Sequence, residues 1–504
     1  MISMIRVHAR CLLVPIVASA FASGCSDDSS GATEGTGTTG ATSESESEGG
    51  TGSGDEGADY GGGERLRPLV WQPEDGPPSR FGWHDSELDH RCDFRPLSDG
   101  QLRCVPLTFA TPARFFGDAS CVQAVQTLSS ADEAPYPEYS WSSASSADCG
   151  GGLATIDVHP LSGAPQNGVI YELDDVDGCV MALAEPVEYI PVGPALDPST
   201  YVAATDVLDG GSERILGERR EAEDGSWSYV DAYDQELAVE SKVYITEDGV
   251  SRWLPLGGVN YNRNTYADPA CTEPLGGGPI GACPEPSEDY VNDRNNNSCR
   301  EIRTVYASGA EHLGPVYKQV GDSCEVSVQD DFHFYPVGAA IADGDFAEAT
   351  LASYGPGRIL KRYWSSEGSP LIEPESFVDV QHDGVTCRPL ADLDGVLRCL
   401  PTNLVASTSF TYYTDPECAG SPVGLLPVCL GEVPPYGSLP QASCDGDCWQ
   451  PYGFAAEIEL ETTPIYRDSG MGCGPDGGLG DDYRYMELTP LDPVDWATME
   501  EEVQ

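Results

Sequence analysis

Positive charge is what this sequence most lacks: 26 Lys and Arg stand against 83 Asp and Glu in 504 residues, a formal net charge of −57. Nucleic-acid binding needs clustered Lys and Arg to displace counterions, so that partner class is excluded. Docking on anionic lipid through a basic patch is excluded on the same ground. Histidine is scarce too, seven in all, and no Cys-x-x-Cys pair occurs, which removes the usual structural zinc sites. There is no Gly-x-Ser-x-Gly elbow, His-Glu-x-x-His, Walker loop or Rossmann glycine fingerprint, and no run fits the calcium-loop pattern. No cofactor is therefore expected. The acidic turns Asp174-Asp175-Val176-Asp177-Gly178 and Cys444-Asp445-Gly446-Asp447-Cys448 leave only a weak case for calcium, since such residues usually make solvated turns.

Long apolar runs are also missing. The longest, Cys11 to Ala22, is too short for the roughly 20 residues a bilayer-spanning helix needs. It follows Arg6 and Arg10, so residues 1–24 read as an export signal. The segment ends Ala22-Ser23-Gly24-Cys25, which resembles the lipobox of bacterial lipoproteins, with Ala22 where that family usually has Leu. The resemblance implies that Cys25 is the lipidated first residue of the mature chain. Ser26 to Gly63 carries nine acids, no Lys or Arg, and almost no apolar residue. Such a composition cannot offset the entropy of ordering, so residues 25–63 are expected to form an anchor cysteine and a disordered tether. A flexible chain of that length spans roughly 35 Å. A lipid anchor with this spacer is then the sole membrane contact, and the cell envelope is the expected address, at the outer membrane facing the periplasm or the surface.

What the sequence has in abundance is repetition. Asp99-Gly-Gln-Leu-Arg-Cys-Val-Pro106 recurs as Asp248-Gly-Val-Ser-Arg-Trp-Leu-Pro255 and as Asp394-Gly-Val-Leu-Arg-Cys-Leu-Pro401. Downstream of each comes an aromatic-x-Asp-x-x-Cys element: Phe116 to Cys121, Tyr266 to Cys271 and Tyr413 to Cys418. Arg65-Leu66, Arg214-Ile215 and Arg358-Ile359 precede them at nearly the same period. Landmarks in one order, three times, divide the body into repeats at 64–207, 208–352 and 353–504 of about 147 residues each.

Sixteen cysteines remain after Cys11 and Cys25, and in an exported chain they read as disulfides. Cys92/Cys104 and Cys387/Cys399 lie 12 residues apart around an Asp-Gly turn, and repeat 2 has Ser241 and Trp253 at both places. Loss of both partners together marks each pair as a cross-hairpin staple. The pairing of Cys149, Cys179, Cys271, Cys283, Cys299, Cys324, Cys418, Cys429, Cys448 and Cys473 stays open. The repeats hold five, four and seven cysteines, so full oxidation requires a bridge between repeats. Cys121 lacks the near neighbour that Cys283 and Cys429 supply elsewhere, and Cys444 is the surplus thiol of repeat 3. A Cys121–Cys444 bridge is the expectation, which would make the first and last repeats neighbours.

Each repeat contains eight or nine short β-branched and aromatic runs between Gly, Pro, Asp and Asn, with no convincing amphipathic helix. The fold class is all-β. Two four-stranded blades per repeat would close a six-bladed β-propeller; three consecutive sandwich or barrel domains are the alternative. The short junctions at Thr205–Arg214 and Thr350–Arg358 favour the ring.

A catalytic group is needed once and should break the repeat, whereas a residue present three times serves the fold. Asp118, Asp268 and Asp415, and likewise Asp85 and Asp234, match between repeats and are assigned to structure. His84, Glu87, Asp89 and His90 break the pattern, but sit in a charged, turn-like stretch. His159 and His312 look equivalent, and Asn295–Asn297 reads as an exposed loop. Together with Gly82-Trp83-His84-Asp85, the two repeated motifs resemble a group of uncharacterised, cysteine-stapled repeat lipoproteins of Gram-negative soil bacteria. That resemblance implies an envelope location and carries over no catalytic residue. The expected role is binding an unknown surface ligand or protein, or serving the envelope structurally, without evident catalysis. The alternatives are an exported hydrolase using paired carboxylates and calcium-dependent adhesion.

Overall fold

The computed structural model describes residues 60–504 except 108, 111–114, 128–137, 144–154, 175–177, 257, 280–286, 298–299, 322, 328–331, 368, 373–375, 403–410, 421, 428–432, 442–447, 459–463, 469–472 and 476–482. The chain is all-β: the only helical pieces among these residues are short 3-10 turns. The export signal, Cys25 and most of the tether lie outside the described residues, as do Cys149, Cys283, Cys299, Cys429 and Cys444.

Every repeat opens with an antiparallel meander. In repeat 1 it runs through Leu66–Pro73, Ser79–Asp85, His90–Pro96 and Leu102–Pro106. Repeat 2 repeats it as Ile215–Ala222, Trp227–Asp234, Val239–Ile245 and Ser251–Pro255, and repeat 3 as Ile359–Ser366, Phe377–Asp379, Val385–Ala391 and Leu397–Pro401. The meander occurs once per repeat among the described strands, so blades of the expected kind number three. The second half of each repeat is built differently. In repeat 1 it contains a small closed barrel of Phe115–Phe116, Ala124–Thr127, Gln166–Asp174 and Gly178–Pro191.

The repeats join by one device used three times. After its second half each repeat makes a 3-10 turn and buries an aromatic: Tyr201, Phe346 or Trp496. The next residues bond back to the last meander strand of their own repeat, through Val202 O to Cys104 N, Ala347 O to Trp253 N, and Ala497 O to Cys399 N. The chain then continues as a strand along the first meander strand of the following repeat. Ala203–Gly211 pairs with Ile215–Ala222, and Thr350–Tyr354 with Ile359–Ser366, each through a short turn. Met499–Val503 makes the same pairing with Leu66–Pro73 of repeat 1, from Leu69↔Val503 to Pro73↔Met499. That last hairpin has no turn: its two strands belong to opposite ends of the body. The ring is therefore closed, and repeats 1 and 3 touch as the ring reading required. Arg91 and Glu501 form an ion pair across the closure, and the Gln504 N–H donates to Pro68 O.

A second contact reinforces the junctions. Asp224, in the first hairpin turn of repeat 2, accepts from the backbone N–H groups of Arg65 (3.0 Å) and Leu66 (2.6 Å) at the start of repeat 1. Asp75, in the matching turn of repeat 1, accepts from Arg358 N at 3.0 Å at the start of repeat 3. Backbones approach so closely here that a Cβ on Gly63 would collide with Asp224, and one on Gly357 with Asp75, so glycine is required at both positions. At the start of repeat 2 the Ser212 hydroxyl takes over this role, accepting from Ile215 N at 3.0 Å.

Two staples stand where expected, Cys92–Cys104 and Cys387–Cys399, all four residues fully buried. Trp253 fills the corresponding space in repeat 2 beside Ile215, Ala232 and Ala349. The expected Cys121–Cys444 bridge is overturned: Cys121 pairs with Cys179 in its own repeat. Cys271–Cys324 and Cys418–Cys473 repeat that arrangement, so neither Cys271 nor Cys418 uses the nearer Cys283 or Cys429. The cause is backbone direction. Cys121, Cys271 and Cys418 each sit at φ +51°, where the turned chain aims the thiol across at the partner hairpin. Cys448 is also disulfide-bonded.

Candidate functional site

The threefold residues all work for the ring. Arg65 grips Asp85 with two bonds of 2.8 and 2.7 Å and donates to Thr200 O at 2.9 Å. Arg214 holds Asp234 and Asp345 O, and Arg358 holds Asp379 and Asp495 O, in the same way. Each pair so fastens a meander to the 3-10 turn that leads to the closing strand. The three carboxylates are fully buried, while the arginines keep about a fifth of their side chain in solvent. A second series of arginines, Arg103, Arg252 and Arg398, donates to the carbonyls of Tyr201, Phe346 and Trp496. Arg103 and Arg252 are balanced by Asp99 and Asp248 of the repeated Asp-Gly motif, but Arg398 takes Asp392 at 2.6 Å instead of Asp394. Asp118 and Asp268 cap their turns by accepting from three backbone N–H groups each, as the sequence suggested, and Asp415 accepts from Glu417 N.

The symmetry-breaking histidines do not assemble a site. His84 lies 3.5 Å from Asp89, which is almost wholly exposed, while Glu87 turns to Arg65. His90 packs edge-on against Tyr139, neither ring nitrogen has a hydrogen-bond partner, and burial pushes its pKa down. Val239 and Val385 open the same strand in repeats 2 and 3, so His90 is a half-buried residue at a position that is apolar in the other repeats. His159 and His312 prove not to be equivalent. His159 lies within the strand Ile156–Pro160, whereas His312 lies in the loop after Arg300–Ser308 and bonds Pro315 O. Asn295–Asn297 is not a loop but the end of a strand, Ser287–Asn297, paired with Arg300–Ser308.

Two constellations that sequence reading passed over also break the symmetry. One is Ser142, whose hydroxyl lies 3.0 Å from His159 Nε2, while His159 Nδ1 lies 3.0 Å from Gly193 O. The carbonyl only accepts, so in the neutral ring Nδ1 carries the proton and Nε2 accepts from Ser142. The other lies on the repeat 2 meander, where Glu218 and Asp231 are directly opposite cross-strand partners. Arg220, two residues along, pairs with Asp206 at 2.7 Å and lies over the Phe94 ring of repeat 1, which sets the acids at a seam between repeats. Burial pushes Glu218 up to about 7, with Glu240, Asp206 and Asp231 adding repulsion. Burial likewise raises Asp231 to about 6, although Lys242 opposes it. Among the described residues no group of three or more His, Cys, Asp or Glu is placed to hold a metal ion.

These raised pKa values have a sign. Both acids bind their proton more tightly folded than unfolded, so their contribution is complete below about pH 4 and is lost as pH rises through about 6 to 7. Acids with depressed values, such as Asp392 and Asp224, act oppositely at the low end. Stability is expected to peak near pH 5 and to fall by about 1 kcal/mol towards pH 8, after discounting for partial solvent screening. Melting temperatures of wild type and of Glu218→Gln/Asp231→Asn at both pH values check this, because the variant should flatten the slope.

Residues 62–329, repeat 1 with most of repeat 2, match DUF7481, a family of unknown function. The chain belongs to that family. The matched span begins just after the Tyr60–Gly61 strand and stops short of the closing strand of repeat 2. No curated protein and no solved structure matches the chain.

Proposed function

We propose that this DUF7481 member is a lipid-anchored protein of the cell envelope, at the outer membrane, whose closed β-ring serves binding or structure and not catalysis. The observation that carries the reading is the set of disulfides, five of them with both partners among the described residues and two of those five fully buried. Bridges of that number belong to an oxidising compartment beyond the cytoplasm, in line with the export signal and with Cys25 as the lipid site. Attachment supports it further. Tyr60–Gly61 pairs with Trp227–Ser228, and the buried Lys361 ammonium of repeat 3 lies 5.5 Å from the Tyr60 ring, so the tether enters where repeats meet. The hydrolase reading ranks second. Its best acids, Glu218 and Asp231, come from one repeat, whereas a central channel calls for carboxylates from different repeats.

Cys25→Ser tests the anchor. Wild type expressed in a Gram-negative host should incorporate labelled palmitate and partition with membranes, and the variant should do neither. A variant that stays membrane-bound would overturn the proposal.

A further inference from the structure

The disulfide-stapled hairpin in the second half of each repeat has the same frame but not the same surface. In repeat 1 Leu173 is the cross-strand partner of Cys179, and Tyr171 that of Met181, so Leu173, Cys179 and Met181 share one face. The Cys121–Cys179 bridge ties Cys121, the residue before Val122, to that face. In repeat 2 the equivalent places are Gln319 opposite Cys324, Val326 opposite Tyr317, and Thr272 after Cys271. In repeat 3 they are Asp468, Pro475 and Ala419.

Repeat 1 alone has three large apolar side chains there, and all are exposed: Val122 80%, Leu173 66% and Met181 54%. A residue that serves the frame recurs three times. This trio does not recur, it gains nothing by burial within the chain, and it rides on a hairpin braced by a disulfide.

The charge of the stretch of chain that carries it says what covers it. Between Arg114 and Arg214 the chain has no Lys or Arg, while 16 Asp and Glu fall in that interval. The corresponding part of repeat 2 carries Arg263, Arg294, Arg300, Arg303 and Lys318, and that of repeat 3 carries Arg467 and Arg484. A second copy of this chain would bring the same negative field, and an anionic membrane would too. The complement is a cationic surface with an apolar centre. We infer that the face of Val122, Leu173 and Met181 docks a protein segment whose aliphatic side chains are flanked by Lys or Arg. The aliphatic contact supplies affinity, and the acidic surround supplies orientation and encounter rate.

This deepens the binding half of the reading above but does not depend on Cys25, so both the anchored and the Cys25→Ser protein are used. The probe is a synthetic peptide of alternating Lys and Leu, with Lys/Gly and Glu/Leu peptides as controls. The variant Val122→Thr/Leu173→Gln/Met181→Thr takes polar residues, two of them native to repeat 2, so its fold is expected to survive; near-ultraviolet circular dichroism verifies that. Wild type should bind the Lys/Leu peptide at least about tenfold more tightly than the variant does, and more tightly than either control. The gap should persist with or without the lipid. Equal binding by variant and wild type, or equal binding of Lys/Leu and Lys/Gly peptides, would overturn the inference. So would patch-dependent binding to phosphatidylcholine vesicles in place of the peptide, which would assign the face to a membrane. Loss of membrane partitioning without loss of peptide binding would count against the anchor alone.

Discussion

Asp379→Ala is expected to cost about 3–5 kcal/mol of unfolding free energy, the range for removing one partner of a buried ion pair. The side chain has no solvent exposure, accepts two bonds from Arg358 at 2.9 and 2.7 Å, and receives Gln381 N at 3.0 Å. Removing it strands a guanidinium that also holds Asp495 O, so the turn leading to the closing strand loosens as well. Urea unfolding followed by tryptophan fluorescence reads the effect. The double variant Arg358→Met/Asp379→Leu should recover a large part of it, since replacing both charges by apolar groups removes the unpaired ion. A single-variant loss below about 1 kcal/mol would mean that the pair behaves like a solvated surface bridge.

Removal of Met499–Gln504 should have the larger consequence. Those residues supply one strand of the hairpin that lacks a turn, so nothing covalent replaces them. Their loss uncovers Leu69 and Val70, buried in the intact ring, along an unpaired strand edge. The truncated protein is expected to unfold less cooperatively than the intact chain, become protease-sensitive at the repeat 3 end, and self-associate through the open edge. Size-exclusion chromatography and limited proteolysis check this. A truncated chain that stays monomeric and resistant would show that the meanders stand without closure. Adding the Met499–Gln504 peptide in trans should restore the monomer, because the pairing is non-covalent already.

Legibility followed the distance between partners. The three repeats, the all-β class, the two 12-residue staples and the turn aspartates at 118, 268 and 415 were readable because each is set within one hairpin or turn. The closing strands Thr350–Tyr354 and Met499–Val503 were not read. Met499–Val503 is mostly glutamate and has no apolar alternation, since its role is to lend backbone bonds to an edge. Asp85 and Asp234 were rightly assigned to structure, but their pairing with the recurrent arginine 20 residues upstream, Arg65 or Arg214, was not read. That shared spacing was the available signal.

The shortage of positive charge sets the expectation against nucleic-acid partners and basic-patch docking on lipid, and repetition gives the number of units. Charge says nothing about where the few bases go, and the ring does: the two recurrent arginine series are placed at its junctions, while the second half of repeat 1 has no base after Arg114. Cysteine parity pointed to repeats 1 and 3 as neighbours, which they are, but Cys121 was the wrong residue to choose for a link between them. Disulfide choice depends on the direction of the thiol, which the left-handed turn at Cys121 controls, whereas the meeting of the chain ends depends on two strand edges finding a common register. Both are set by backbone geometry assembled over hundreds of residues, and neither leaves a local trace in composition or spacing.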